Sequence, residues 1–335
     1  MNLLRALDSR NVLYRQHQTN LNEISICCPF CEERKESEDT RFRLGINIQN
    51  GLAHCFNCGW KARAPYTWEA LNRVFNVTLE SAFGEVDVAQ EEEEKEHQQI
   101  FEPLPQGFCL LRWQETLKAP LDEFEAAAKV YLERRGVTEK QVRQKKIGYC
   151  TSGKFAYRIL FPVWDETKKF CGVVGRDWTG KQKLRYLNSK GLEKVFYNAH
   201  KMAKWTGQVH IYLAEGIFDA LALERAGEKS VALLGSSLTE SQLSSLQKFI
   251  NINLMADADG PGLVSILKTA DILSDAEKRV KVIFPINGKK DAAEMLDGEI
   301  KKALTQNNYS YDAQLAFRIR HAEEKLKMGE KPFWA

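Results

Sequence analysis

The chain has 335 residues, 28% of them charged and 44% hydrophobic, and a formal net charge of +3. That length accommodates two or three domains. No apolar run reaches the length of a membrane span and no secretion signal stands out, so a soluble cytoplasmic protein is expected. The small total hides asymmetry: residues 1–77 carry +2, 78–102 carry −8, 103–205 carry +11 and 206–335 carry −2. A block at +11 beside an acidic one fits a protein that holds a polyanion against a cation site. A lysine-rich soluble surface gives the same count. No Walker A sequence occurs, which excludes a P-loop motor within these residues.

In chain order, a short helix is predicted over 3–13. Then come two cysteine pairs, Cys28-Pro29-Phe30-Cys31 and Cys55-Phe56-Asn57-Cys58. Each pair sets two thiolates on one knuckle, and two knuckles make a four-cysteine zinc site. Between them, 41–48 and 52–56 alternate around Asn50-Gly51, a hairpin signal. The layout is a zinc ribbon with ligands Cys28, Cys31, Cys55 and Cys58. Cys27 and His54 adjoin the knuckles as substitute ligands, though the spacing favours the four. Cys109, Cys150 and Cys171 lack partner spacing and read as small core residues. Arg41, Arg43, Phe56 and Trp60 are available to read a single strand, with Phe56 better suited to the ribbon core. A helix over 67–75 closes this domain.

Residues 78–102, with a run of acids at 91–96, read as a charged helix or a self-repelling linker that isolates the ribbon. Helices follow over 124–136 and from 137 to 142, then alternating strands over 156–163, 170–176 and 184–187. From residue 209 onward strands and helices alternate, as in a parallel α/β sheet. Strands are predicted over 209–214, 231–234, 252–256 and 280–284, and helices over 218–226, 239–249, 262–273 and 292–296. Glu215 follows the first strand, with Asp219 four residues on, and Asp257 and Asp259 follow the third. Carboxylates at the carboxyl ends of neighbouring strands sit where an open α/β sheet binds its ligand. Gathered acids repel one another unless a cation holds them, and oxygen ligands suit Mg²⁺ or Mn²⁺. Asp257 and Asp259 also read as caps for the helix opened by Gly260-Pro261.

With these motifs in place, the chain resembles the DnaG-type DNA primases of bacteriophages. The segment AKVYLERRGVTEKQVRQKKIGY at 128–149 is similar to the entry of the primase polymerase domain. Tyr157-Arg158-Ile159-Leu160-Phe161-Pro162, Gly175-Arg176 and Arg185-Tyr186-Leu187-Asn188-Ser189 resemble its basic motifs. Glu215-Gly216 with Asp219-Ala220, and Asp257 with Asp259-Gly260, resemble the Toprim signatures. The stretch 234–239 matches the segment between them, and Lys290-Asp291-Ala292-Ala293-Glu294 is similar to the last acidic motif. Bacterial members carry a second Asp where this chain has Ala293, and Glu294 is the nearby acid that would compensate.

The resemblance implies a Toprim-type parallel core in an RNA polymerase domain preceded by a zinc-ribbon domain. Its expected divisions are 1–77 for template binding, 78–102 as linker, 103–205 as a basic subdomain, 206–302 as the Toprim subdomain and 303–335 as a C-terminal helical segment. It implies synthesis of short RNA primers on single-stranded DNA from ribonucleoside triphosphates. A structural Zn²⁺, a catalytic Mg²⁺ or Mn²⁺, and a separate hexameric helicase as partner complete the expectation; for a phage protein the compartment is the host cytoplasm. Glu215, Asp257 and Asp259 are expected to hold the catalytic metal, with Asp219 and Asp291 beside them. Glu215 could instead act on protons, since crowding by other carboxylates raises its pKa. Arg158, Arg176, Lys183 and Arg185 are the candidates for template phosphates and the incoming nucleotide. Trp178 and Tyr186 are candidates for base stacking or core packing. Segment 310–335, ending Pro332-Phe333-Trp334, reads as a docking peptide or a helix on its own domain. The competing functions are another Toprim enzyme that cleaves nucleic acid, and a non-catalytic zinc and single-strand binding mediator.

Overall fold

The Asn50-Gly51 turn forms as its sequence requires. Gly51 has φ +66°, and a Cβ there would lie 2.7 Å from the Ala64 Cβ. The Asn47 side chain accepts from the backbone N–H groups of Gln49 and Asn50, both at 3.1 Å. The turn joins β3 (Leu44–Asn47) to β4 (Ala53–Cys55) in an antiparallel hairpin that pairs Leu44 with Cys55 and Ile46 with Ala53. Three further strands extend it: β1 (Tyr14–Gln16), β2 (Glu23–Ile26) and β5 (Lys61–Ala62), in the order β1-β2-β3-β4-β5. Helices α1 (Leu3–Ser9), α2 (Cys31–Lys35) and α3 (Tyr66–Phe75) flank the sheet. The first helix ends four residues earlier than predicted, because Asn11 turns at φ +55° and the chain then extends into β1.

This computed structural model describes residues 3–17, 20–35, 37–76, 102–114, 121–205, 210–235 and 237–334. The acidic segment predicted over 78–102 lies outside the described residues except for Glu102. The chain divides into two compact units, Met1–Val130 with Val142–Gly191, and Tyr131–Gln141 with Leu192–Ala335.

In the first unit the ribbon is joined to a second five-stranded antiparallel sheet, ordered β10-β9-β8-β7-β6. Its strands are β6 (Phe108–Leu110), β7 (Gly148–Cys150), β8 (Arg158–Trp164), β9 (Phe170–Asp177) and β10 (Tyr186–Asn188). Every residue of β8 is buried, so this strand is the centre of the sheet rather than an alternating one. One hydrophobic cluster unites Leu13 and Phe42 of the ribbon with Leu104, Phe108, Cys150, Phe155, Leu160, Trp164 and Val173. The rings of Phe42 and Phe108 meet edge to face at 6.0 Å. The Leu110 N–H donates to the Thr40 carbonyl at 3.1 Å. Arg15 lies 4.4 Å over the Phe42 ring and donates to the Phe108 carbonyl. The ribbon is therefore not isolated from the sheet that follows it, contrary to the expectation drawn from the linker.

The second unit is built on a sheet ordered β12-β11-β13-β14-β15. Strands β11 (Ile211–Ala214), β12 (Ser230–Ala232), β13 (Asn251–Met255) and β14 (Arg279–Ile283) are parallel. From β11 the chain passes first to β12 on one side and then to β13 on the other. The order thus reverses between β11 and β13, which is where open α/β sheets form a ligand crevice. After helices α4 (Glu123–Arg134), α5 (Glu139–Gln144) and α6 (Ala199–Met202), helix α7 (Ile217–Arg225) follows β11 and helix α9 (Gly260–Asp275) follows β13. Between them, the short α8 (Glu240–Ser245) starts in a capping box of Thr239 and Gln242. The helix predicted over 292–296 is a three-residue 3₁₀ turn, Ala292–Glu294, followed by the unpredicted helix Asp297–Gln306.

The C-terminal segment differs from the docking peptide among the sequence expectations. Asn308–Ser310 forms β15, antiparallel to β14, and helix Ala313–Lys327 packs on α9. Trp334 is buried, with its ring stacked 4.2 Å from Phe284, and Phe333 meets the same ring at 5.4 Å. These aromatics belong to the core of their own unit.

Candidate active site and metal centre

The ribbon knuckles bring the four predicted thiols together. Cys28 Sγ lies 3.8 Å from Cys58 Sγ, and Cys31 Sγ lies 3.7 Å from Cys55 Sγ. A tetrahedron with Zn–S arms of about 2.3 Å has edges of about 3.8 Å, so the spacing fits zinc. The donors around the sulfurs fit thiolates as well. Asn57 donates to Cys55 Sγ from its backbone N–H at 3.4 Å and to Cys31 Sγ from Nδ2 at 3.3 Å. The two neighbours point elsewhere. His54 faces away from Cys55 and sets its ring edge to face on Phe56 at 4.7 Å. Cys27 packs toward the shared core, where burial, first of all, pushes its thiol up to about 12.

One ribbon residue went unnoticed in the sequence. The buried Asp39 carboxylate accepts from the N–H groups of Cys28 at 2.9 Å, Arg41 at 2.9 Å and Arg43 at 2.8 Å, and from Arg43 Nε at 2.9 Å. Arg43 continues the chain to Asn57 Oδ1 at 2.8 Å. Asp39 thus fixes one knuckle and, through Arg43 and Asn57, reaches the other. Its only sequence signal is an acid eight residues after Cys31. Arg43 is consequently occupied, and Trp60 stacks on Phe30 at 4.2 Å between the knuckles. Phe56, expected in the core, is 77% exposed.

In the second unit, the acids converge from four short segments. Glu215 and Asp257 follow the carboxyl ends of the adjacent strands β11 and β13, where Ala214 pairs with Met255. Asp219 lies in the first turn of α7 and is buried; its Oδ1 accepts the backbone N–H of Ala293 at 3.0 Å. Gly216 leaves room for that carboxyl, since a Cβ there would lie 2.7 Å from Asp219 Oδ2. Asp259 is the N-cap of α9, accepting the Gly262 N–H at 2.9 Å, and Asp291 caps the 3₁₀ turn through the Glu294 N–H at 2.9 Å. The capping reading of Asp259 holds, while Asp257 caps nothing. Its Oδ1 is buried and has no hydrogen-bond partner. Gly262 packs against it so closely that a Cβ would fall 2.6 Å from the Asp257 Cβ.

The charges act on one another. Burial, then Asp219, Glu215, Asp291 and Asp259, push the Asp257 carboxyl up to about 9. Burial and Asp291 push Asp219 up to about 7, against the Ala293 N–H and Arg135. Burial and Asp259 raise Glu215, opposed by the Ser265 hydroxyl. Burial raises Asp291, opposed by Arg135. A buried carboxylate oxygen without a donor, crowded by further acids, is chemistry suited to a hard divalent cation. The four ribbon thiols are the one group of three or more donors within 4.8 Å of one another among the described residues. The acids surround their crevice more widely. Glu294 does not take the place of the Asp missing at 293: it is exposed, and its carboxylate turns back to the Lys290 N–H at 3.0 Å.

The four basic candidates, all in the first unit, separate into two kinds. Arg158 is buried, and its guanidinium donates to the carbonyls of Leu184 at 2.6 Å, Gly175 at 3.4 Å and Arg185 at 3.4 Å. It staples β9 to the loop before β10 and is not presented to a phosphate. Arg176 is also buried, 4.6 Å over the Tyr186 ring. Lys183 and Arg185 are exposed on the loop that Arg158 holds. Trp178 packs edge to face on Phe124 at 6.4 Å. Arg158→Ala is expected to lower stability by roughly 2–4 kcal/mol in urea unfolding, because three carbonyls lose a charged donor. Lys183→Ala and Arg185→Ala are expected to leave stability unchanged.

Residues 212–296 match the family described as Toprim-like. Among curated proteins, the DNA primase of Helicobacter pylori strain ATCC 700392 / 26695 is 27% identical over 355 residues, covering 89% of this chain and 59% of its own length. The DNA primase of Lactococcus lactis subsp. lactis strain IL1403 is 25% identical over 315 residues, covering 78% of this chain and 47% of its own length. The chain thus spans about half the length of the curated relatives it matches. Among solved structures, the zinc binding and RNA polymerase domains of the Aquifex aeolicus primase superpose over 97% of this chain and 87% of that one, with a TM-score of 0.52 at 16% identity. A DNA primase domain from Pseudomonas aeruginosa covers 59% of this chain and 76% of its own, with a TM-score of 0.52 at 20% identity. The architecture is that of these proteins.

Proposed function

We propose that this chain is a DnaG-type DNA primase, which joins ribonucleotides into short RNA primers on a single-stranded DNA template. The observation that carries the reading is the pairing, in one chain, of a four-thiol ribbon with an acidic crevice at the switch point of a Toprim-like sheet. The curated relatives called DNA primase support it.

In this reading residues 1–77 select the template, 103–205 hold it and 206–302 carry the chemistry. A primer grows when a ribose 3′-hydroxyl attacks an α-phosphate and pyrophosphate leaves. A divalent cation bound among the acids supplies polarisation of that phosphate and stabilises the leaving group. Glu215, Asp257 and Asp259 are the residues that would hold it, with Mg²⁺ or Mn²⁺ as the ion and Asp219 and Asp291 shaping the crevice. The alternative role for Glu215 is to take the hydroxyl proton instead of holding the ion. Lys183 and Arg185 bind phosphates of the template or the incoming triphosphate. Replacing either by Ala is expected to weaken single-strand binding alike across sequences and to reduce the salt slope by about 0.7, measured by fluorescence anisotropy between 50 and 200 mM salt. Zn²⁺ in the ribbon, a separate hexameric helicase at the fork and a cytoplasmic location, that of the host if a phage encodes the chain, belong to the same proposal.

The test is primer synthesis by the purified chain on random single-stranded templates with Mg²⁺ and labelled ribonucleotides, followed by sequencing of the products. Template-dependent RNA of short length is the expected result. Nicking of the template with no RNA made would overturn the reading.

A further inference from the structure

One face of the second unit's sheet changes character along its strands. Tyr212, Ser230, Asn253, Lys281 and Ser310 are partners in register across all five strands, so their side chains share a face. It is the face that α7 covers, since the Ser230 hydroxyl donates to the Ala220 carbonyl at 2.6 Å. Toward the carboxyl ends the same face carries Ala214, Met255 and Ile283, all buried. Toward the amino ends it carries His210, Asn251 and Arg279. The opposite face stays apolar and buried in both halves, with Ile211, Leu213, Ile252, Leu254, Val280 and Val282. Strands of a parallel sheet covered on both sides run apolar along their length. Here Arg279 and Lys281 are exposed instead, and the amino half of one face is open. The groove there has a volume of 320 Å³, and Lys278 and Tyr311 also line it.

Lys278, Arg279 and Lys281 make no ion pair among the described residues. Lys278 Nζ donates to the Gln247 carbonyl at 3.0 Å and Lys281 Nζ reaches Asn308 Oδ1 at 3.5 Å, so each ammonium keeps donors to spare. No carboxylate lines the groove among the described residues. Of the acids nearby, Glu228 is engaged by Tyr212, and Asp271 accepts the Tyr311 hydroxyl at 2.5 Å. Arginine and lysine beside asparagine, serine and tyrosine are the side chains that hold phosphate oxygens without regard to base. The lining is polar or charged but for Val280, which leaves no apolar pocket for the anchor of a protein partner. Arg279 and Lys281 stand two residues apart on one strand, about 6.6 Å, so a chain of phosphates along β14 meets both.

We propose that this groove is a second binding site for the phosphate backbone of single-stranded DNA, at the end of the sheet opposite the acids. Asn251 opens β13 in the groove and Asp257 follows the other end of the same strand. Six residues at strand pitch are about 20 Å, so DNA held here is held away from the chemistry. That the polyanion is single-stranded DNA rests on the proposed function; that a chain of phosphates binds here rests on the groove itself.

The experiment is fluorescence anisotropy of the zinc-loaded full chain with a long labelled thymidine oligonucleotide, without Mg²⁺ or nucleotides, over a range of salt. Arg279→Gln combined with Lys281→Gln is expected to weaken binding roughly tenfold at low salt and to lower the salt slope by about 1.4, two phosphate contacts at about 0.7 each. Lys301→Gln combined with Lys302→Gln removes the same charge from exposed positions of the same unit and is expected to change neither. A strand carrying bromouracil is expected to cross-link to wild type within residues 278–281 or 308–311. Inorganic triphosphate and polyglutamate, at matched ionic strength, are expected to compete poorly. Thermal melting establishes that each variant is folded. Unchanged binding by the Arg279 and Lys281 variant, an equal loss in the Lys301 and Lys302 control, or full competition by triphosphate or polyglutamate would overturn the proposal and leave the catalytic reading standing. A wild-type chain that binds no single strand would overturn both. Should the Arg279 and Lys281 variant fail to fold, the cross-links decide: adducts confined to other parts of the chain refute the groove.

Discussion

Cys55→Ser is expected to unfold more than the ribbon. With one thiolate lost from the tetrahedron, zinc affinity drops and the folding energy supplied by the metal goes with it. A ribbon that lacks its metal cannot hold Phe42 and Leu13 in place, and these two side chains complete the core beneath Phe108, Leu160 and Val173. Large-to-small changes at such positions cost roughly 2–5 kcal/mol each, so uncovering both is comparable with the whole stability of a domain. The expected result is loss of hydrogen-exchange protection in β6, β7 and β8 as well as in β2, β3 and β4. Chelation of zinc from the wild-type chain is expected to do the same. Protection that disappears from the ribbon alone would show that the two sheets are independent.

Asp257→Asn is expected to abolish primer synthesis, by at least a thousandfold, and yet to stabilise the chain in the absence of divalent ions. The two effects have one origin. The Asp257 carboxyl is raised to about 9 by burial and by four neighbouring acids, so at neutral pH ionising it works against the fold. A folded-state pKa above the unfolded one contributes stability that is full below the unfolded value near 4 and is lost as pH rises through the folded value near 9. The metal-free wild type is therefore expected to lose melting temperature from about pH 4 to about pH 9. The Asn variant, which cannot ionise there, has a flatter profile, and Mg²⁺ flattens that of the wild type. Parallel pH–melting curves of the two proteins without metal would contradict the assignment of Asp257 as the strained acid.

What the sequence disclosed and what it hid follow a physical line. The thiols and the strand-end acids were legible because coordination chemistry fixes both residue type and spacing. Cys28, Cys31, Cys55 and Cys58 converge as the two knuckles require. The hairpin at Gly51 was legible because the backbone there needs a positive φ. Arg158 was misread because its partners are backbone carbonyl groups 17 to 27 residues away, which no pattern of side chains announces. The seating of Arg135 over the Phe218 ring was missed for a related reason: the two are far apart along the chain and only the fold brings them together. Phe42 and Leu13 show that alternation predicts burial but not what a buried side chain is buried against. Strand β15 is three residues long, too short for a period to register.

The seating of Trp334 against Phe284 bears on how the protein is made. Synthesis delivers the ribbon and its cysteines first, and chains fold from the amino end as they emerge. The ribbon strands are all complete by Ala62, within easy reach of early folding. The parallel sheet has no such head start. Its segment at Tyr131–Gln141 appears long before the strands it joins, and the Trp334 ring that covers Phe284 comes long after that residue is made. The unit bearing the acids thus reaches its finished packing only once Trp334 has been made, well after the ribbon strands are complete. On the proposed reading, a newborn chain would complete the part that selects a template before the part that carries the chemistry.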